Sequence, residues 1–527
     1  MAETRHTCAS RRLGRQAVAV TAVMALTAAL GAFTVTSAAA AAKKGGAVTI
    51  GIEAETTGGL CLPKAQLAIS GIQEAAAVYD TLMVPNTKGK YVPYLAKSVT
   101  PNADFTQWTI TLRPGIKFHD GEDLNADAVK LNFDAYRKGI LFSLFPLTVK
   151  VTMTTPWPAF PSYLYYAGRV GIAAPEQINS PDCAEKWIGT GPFMLKERRL
   201  NEKTVVVKNP NYWQKGYPLL DEIDFVPQPD GPQRIAQLQG GQFDIIHVSG
   251  GKELDKLEAA TPKLNLMVQK PGVREVRYYL LNDAKPPFNS IDGRKAFGYA
   301  IDRDQINQIV NDGRFDLTDG PYDRRSPGYL SHTGTPQYNP KKAKALVSKV
   351  KAANGGQFNV TFLTTTDSNN LAEAQLLKNM VEKVGMHADI AQFDQSGLIS
   401  QALGGQFSVL LWRNLHSDLA YGDPGSFPWW AQPSQSFVNF GKFDDPQIQA
   451  ALDKGRTTSV ETATDPIYAG INKRLGNQVY NLWVWYTTWT IAARPGIKGL
   501  AGPPIPDGGG KQLFIYGRFP VHGISRS

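Results

Sequence analysis

Between residues 340 and 412 the chain alternates between two periodicities, and this alternation narrows the possible folds more than any other feature. A helical pattern over 340–351 gives way to a strand at 358–364. A helix follows over 368–383, stopped by Gly385; then come a strand at 387–393, a helix near 395–403 and a strand at 407–412. Each helix carries the chain back to the edge where the last strand began, so successive strands run the same way. The alternation therefore predicts a parallel α/β sheet in this half of the chain.

The 527 residues exceed what one core comfortably serves, so two or more lobes are expected. The N-terminus reads as an export leader. Arg5, Arg11, Arg12 and Arg15 precede an apolar, Ala-rich run at 17–35, and small residues at 37–42 precede Lys43 and Lys44. Cleavage is expected near Ala42. Ser10-Arg11-Arg12 hints at a twin-arginine signal, although Gly14 stands where a strongly apolar residue belongs. No lipobox cysteine closes the apolar run: Cys8 precedes it and Cys61 is far downstream. No later run reaches about 18 apolar residues, so the mature chain is expected to be soluble, either periplasmic or extracellular and associated with the cell envelope. The net charge is +10, but Lys and Arg are dispersed, which argues against nucleic-acid binding. Cys61 and Cys183 remain after export. An even count in an oxidising compartment predicts one disulfide; the alternative is two buried thiols.

Residues 91–136 read YVPYLAKSVTPNADFTQWTITLRPGIKFHDGEDLNADAVKLNFDAY. Trp108, Ile110 and Leu112 alternate with Thr109, Thr111 and Arg113, the pattern of a half-buried strand. Pro114-Gly115 breaks it. Asn125 can cap a helix whose first turn holds Asp127, and Val129, Phe133 and Tyr136 line one apolar face. As local structure this is a strand–turn–helix unit. The specific string resembles the signature of the family 5 extracellular solute-binding proteins, the peptide and nickel group that serves ABC importers. Further strings agree in order: GTGPF at 189–193, NPNYW at 209–213 and NDAKPPFNSIDGRKAFGYAIDR at 282–303. In the last, Asp302 and Gln305 can form a capping box.

The resemblance implies an α/β, two-lobed, periplasmic-binding-protein type II fold in the large family 5 form, with two crossover strands as hinge. It implies a first lobe at 43–280 with an extra subdomain at about 75–188, a second lobe at 281–488, and a C-terminal return at 489–527. The crossings are expected near 278–283 and 486–492. The implied function is capture of a di- or oligopeptide between closing lobes, by a monomer that delivers it to ABC permease and ATPase subunits. No catalytic centre, cofactor or resident metal is implied.

Ligands of open α/β lobes sit beyond the carboxyl ends of strands. The loop after the strand at 407–412 reads RNLHSDLAYGDPGSFPWW. By resemblance, an aspartate here pairs with a peptide α-amine. Asp423 is the first choice and Asp418 the second; the competing reading is a turn residue that only shapes the loop. Arg413 is a candidate for a ligand carboxylate, or else a surface arginine. Trp412, Tyr421, Trp429 and Trp430 are candidate cleft walls, or else core. Glu55 and Thr56 follow the first strand in the loop that faces the cleft in this family.

Other classes fare worse. There is no CxxC, HExxH or GxSxG, so a zinc site or secreted hydrolase finds no support. His416 is alone in the loop and His119 belongs to the family string, so nickel would have to arrive with a chelator. A non-peptide solute, such as an oligosaccharide or opine-like compound, is the remaining alternative within the importer class. An added role, presenting the captured solute to a membrane kinase, stays open.

Overall fold

The computed structural model describes residues 44–527 apart from 57–58, 66, 137–140, 146, 273, 415–422 and 460. Its first strand, Ala47–Ile52, buries Val48, Ile50 and Ile52 and lies inside a seven-stranded sheet. The parallel neighbours of this strand are Glu222–Pro227 and Ile245–Val248. Antiparallel strands extend both edges. The second sheet has five strands, in the order His387–Phe393, Asn359–Thr365, Val409–Asn414, Glu275–Leu281, Asn481–Thr487. Each sheet has its own buried apolar core, which is what makes the molecule two-lobed.

The expected parallel order holds for the first three strands of the second sheet. The other two run antiparallel, so the sheet is mixed. Both belong to segments assigned above to the crossings. Glu275–Leu281 is already paired within the second sheet, so the first passage between sheets is residues 269–274, earlier than 278–283. The apolar run at 479–491 splits into Asn481–Thr487 in the second sheet and Thr490–Ala493 in the first. The return passage is therefore residues 488–489. The chain then ends against the first core, with Phe519, Val521 and Ile524 buried there.

A third unit is built on a four-stranded antiparallel sheet, Ala96–Pro101, Gln107–Leu112, Thr148–Thr152 and Leu141–Phe145. Trp108, Ile110 and Leu112 face its core, as does Val129 of the helix Ala126–Tyr136. The Asn125 side chain accepts a hydrogen bond from the Ala128 N–H at 2.9 Å, the expected cap. The signature strings join this unit to the first sheet. A Cβ on Gly189 or Gly191 would lie within 2.5 Å of the Val78 backbone, so only glycine permits that approach. Asn209 donates to the Gly191 carbonyl and Trp213 to Asp80. His119 lies between Gly189 N–H and Gly191 C=O, its pKa lowered by burial. These motifs are a structural joint. Asp302 caps the helix Arg303–Asn311 through the Gln305 N–H.

The two lobes also meet helix to helix. Asp230 and Asp367 cap the helices Gly231–Gln239 and Ser368–Glu382, each through one carboxylate oxygen. The second oxygen of each accepts from the first N–H of the other helix, Ser368 and Gly231, both at 3.2 Å. Among the described residues no helix is long and apolar enough to cross a membrane.

Candidate functional site: a cleft at the strand ends

A cavity of about 780 Å³ lies between the sheets. Glu53, Pro227 and Ser249 line it from the carboxyl ends of the first sheet's parallel strands; Thr365, Asp394 and Arg413 do so from the second. This is the location that strand direction dictates. The third unit adds Phe133, Tyr136, Trp157 and Phe160.

Arg413 is the hub of the polar floor. Its guanidinium meets Glu53 at 2.6 Å, Glu275 at 3.2 Å and the Ser249 hydroxyl at 2.7 Å. It also lies 4.4 Å above the Trp489 ring, whose N–H donates to Glu275. Burial would raise the Glu53 carboxyl, but Arg413, with His247 and Arg234, holds it below its ordinary value. Burial does raise Glu275, against the pull of Arg413 and Trp489. His247 accepts the Glu53 N–H, and burial beside two arginines lowers its pKa to about 3. Arg413 is thus neither a surface residue nor an idle clamp. It is an internal bridge from one lobe to the other.

The remaining expected residues separate. Trp412 is buried, lines the cavity and meets Phe440 edge-on. Trp429 also lines it, half-buried. Trp430 does not: it is buried in the core against Tyr322 and Trp483. Adjacent helical residues lie about 100° apart, so two neighbouring tryptophans cannot share one face. Glu55 borders the cleft, but Arg198 pairs with it at 2.9 Å and the Asn201 N–H donates to it. Thr56 is turned inward, donating to buried Glu74, and lines a side cavity instead. Cys61 and Cys183 are disulfide-bonded, Cα atoms 5.0 Å apart. Asp418 and Tyr421 lie outside the described residues, and so does the Asp423 side chain; the Asp423 backbone opens the helix Asp423–Trp430.

Two arginines escaped the sequence reading. Arg169 lines the cavity, donates to the Leu67 carbonyl at 3.2 Å and 3.3 Å, acts on Glu275 only through space, and forms no ion pair among the described residues. Arg456 lies 3.4 Å from the Phe427 ring centroid and 5.1 Å from that of Trp157, and donates to the Tyr163 hydroxyl. Neither stands in a local pattern that marks it. Among the described residues no group of three or more His, Cys, Asp or Glu is placed to hold a metal.

The family model for bacterial extracellular solute-binding proteins, family 5, matches residues 90–438. The chain belongs to this family. It is the substrate-binding protein of an ABC importer, and the family consists of solute-binding proteins, not enzymes. Family 5 members are periplasmic or extracellular and work with ABC permeases. The chain is similar to the nickel-binding periplasmic protein of Escherichia coli, with 25% identity over 81% of this chain and 87% of that one. Among solved structures, the AgaA binding protein of A. tumefaciens R10 in complex with agropinic acid matches with a TM-score of 0.80, at 23% identity over 92% of this chain and 99% of that one. The DppA protein of Helicobacter pylori in complex with peptide STSA gives 0.79, at 20% identity over 92% and 98%. These structures share the two-lobed fold of this family 5 protein.

Proposed function

We propose that the family 5 protein captures peptides, di- or oligopeptides, and delivers them to its permease as an exported monomer. One observation carries the reading. The cleft is walled by aromatic rings, its acids at Glu53, Glu55, Glu275 and Glu373 are each matched by an arginine, and Arg169, unlike Arg277 and Arg413, borders the space with the Leu67 carbonyl as its hydrogen-bond partner and no ion pair among the described residues. Aromatic walls bury side chains without choosing among them. Arg169 offers a bidentate seat for a ligand carboxylate. Asp423, at a helix start beside the cleft loop, is the proposed partner of the α-amine. Residues 1–42 as leader, and two lobes that meet at the passages 269–274 and 488–489, complete the proposal.

A second reading keeps the importer and changes the solute. Arg169 and the aromatic walls suit an opine-like acid equally well, and a structural neighbour is seen with agropinic acid. Native mass spectrometry of protein purified from its own host separates the two. Co-purified peptides of mixed sequence are expected. A single non-peptide mass overturns the peptide reading and keeps the importer.

A further inference from the structure

Beside the main cleft lies a second cavity of about 350 Å³. Glu55, Ala65, Ala68, Gln395, Ser396 and Ile399 line both, so the two spaces adjoin. One wall comes from the first lobe, where the segment around Cys61 is fastened to the segment around Cys183. The disulfide joins them, Leu60 N–H donates to the Ala184 carbonyl at 3.1 Å, and the Gln177 amide donates to both the Leu60 and Cys183 carbonyls. Gly59 takes φ +62°, and a Cβ there would fall 1.8 Å from the Ala184 oxygen. This wall is therefore fixed in shape.

The other wall is a single face of the second-lobe helix Gln395–Leu403: Ser396, Ile399, Ser400 and Leu403, at i, i+3, i+4 and i+7. The outer end reaches solvent at Leu403, which is 38% exposed. The side chains along the passage are small or uncharged, apart from Glu55, held by Arg198, and exposed Lys64. The Gln395 amide and the Ser396 hydroxyl make no side-chain hydrogen bond among the described residues, and both border the space.

We infer that this side cavity is an exit subsite for the distal residues of an extended peptide, which makes longer oligopeptides the preferred ligands of the cleft. The inference rests on the peptide reading. A strand-like peptide advances about 3.3–3.6 Å per residue, so added residues must leave a closed cleft somewhere. A neutral passage with unused amide and hydroxyl groups accepts main chain of any sequence. Because one wall belongs to each lobe, the passage is completed only as the lobes approach, around a chain already seated.

The test is calorimetric titration of the mature protein with di-, tri-, hexa- and octapeptides of mixed sequence, for the native chain and for Ser400→Trp. Ser400 borders the side cavity and not the main cleft. Native protein is expected to bind the longer peptides more tightly. Ser400→Trp is expected to weaken octapeptide binding about tenfold or more and to leave dipeptides unchanged, a difference of about 1.4 kcal/mol per tenfold. Leu403→Trp, at the exposed end, gives the same readout if Ser400→Trp does not fold. Equal affinity at all lengths, or a folded variant that still binds octapeptides normally, overturns the exit subsite alone. Failure of peptides of every length overturns the peptide reading and this inference with it.

Discussion

Glu74 shows how one side chain near the cleft carries information about pH. It is buried, accepts from the Thr56 hydroxyl and lies near Glu55 and Arg198; burial raises its pKa to about 7, against the hydrogen bonds from Thr56 and Thr204. The unfolded value is near 4.5. Between these limits the folded state holds a proton that the unfolded state has lost, so this group's contribution to stability falls as pH rises. Glu74→Gln should remove that component: variant and native should converge near pH 4.5 and diverge towards pH 7, with the variant the more stable. Urea melts across that range read it directly. At the ligand, Arg169→Gln and Asp423→Ala should each weaken peptide binding by about 2–5 kcal/mol without unfolding the chain, as titration calorimetry would show. Normal binding by a folded variant removes that residue from the site. Arg413 and the tryptophans drew notice as chemical types at one marked loop, and Glu55 by its place after the first strand. Their roles depended on partners far away in sequence, such as Arg198 and Glu53, which no local pattern announces. Arg169 was invisible for the same reason.

At the scale of elements the sequence was more legible. The strands at 107–112 and 387–393 and the helices at 340–353, 368–382 and 395–403 follow from apolar period, caps and glycine stops. What local period does not contain is direction: Glu275–Leu281 reads as a strand, but its antiparallel place in the second sheet is set by pairing with Val409–Asn414 and Asn481–Thr487. The paired caps at Asp230 and Asp367 were legible singly, as acidic residues before helices. Their exchange across the lobes was not. Asp367→Ala removes a cap and a contact between lobes at once. It should cost about 1–2 kcal/mol in chemical denaturation and increase the radius of gyration of the ligand-free protein in small-angle scattering. An unchanged radius would mean that these caps do not hold the lobes together. The Cys61–Cys183 bond closes a sequence separation of 122 residues. Its loss in Cys61→Ser with Cys183→Ser should lower stability by about 2–5 kcal/mol, read as a fall in Tm under oxidising conditions.

For the whole molecule, two sheets joined by two short passages make a hinge, and a cleft at their carboxyl ends makes ligand capture a matter of lobe angle. Saturating ligand should reduce the radius of gyration and raise Tm by mass action. The return passage spans only residues 488–489, and Trp489 is one of the two. Its indole lies under Arg413 and donates to Glu275. The fulcrum of the hinge is thus the residue on which the cleft's polar floor rests, as though a door were hung on its own latch. A turn of one lobe should shift that indole against the guanidinium above it, so the emission of Trp489 is expected to change as the cleft opens.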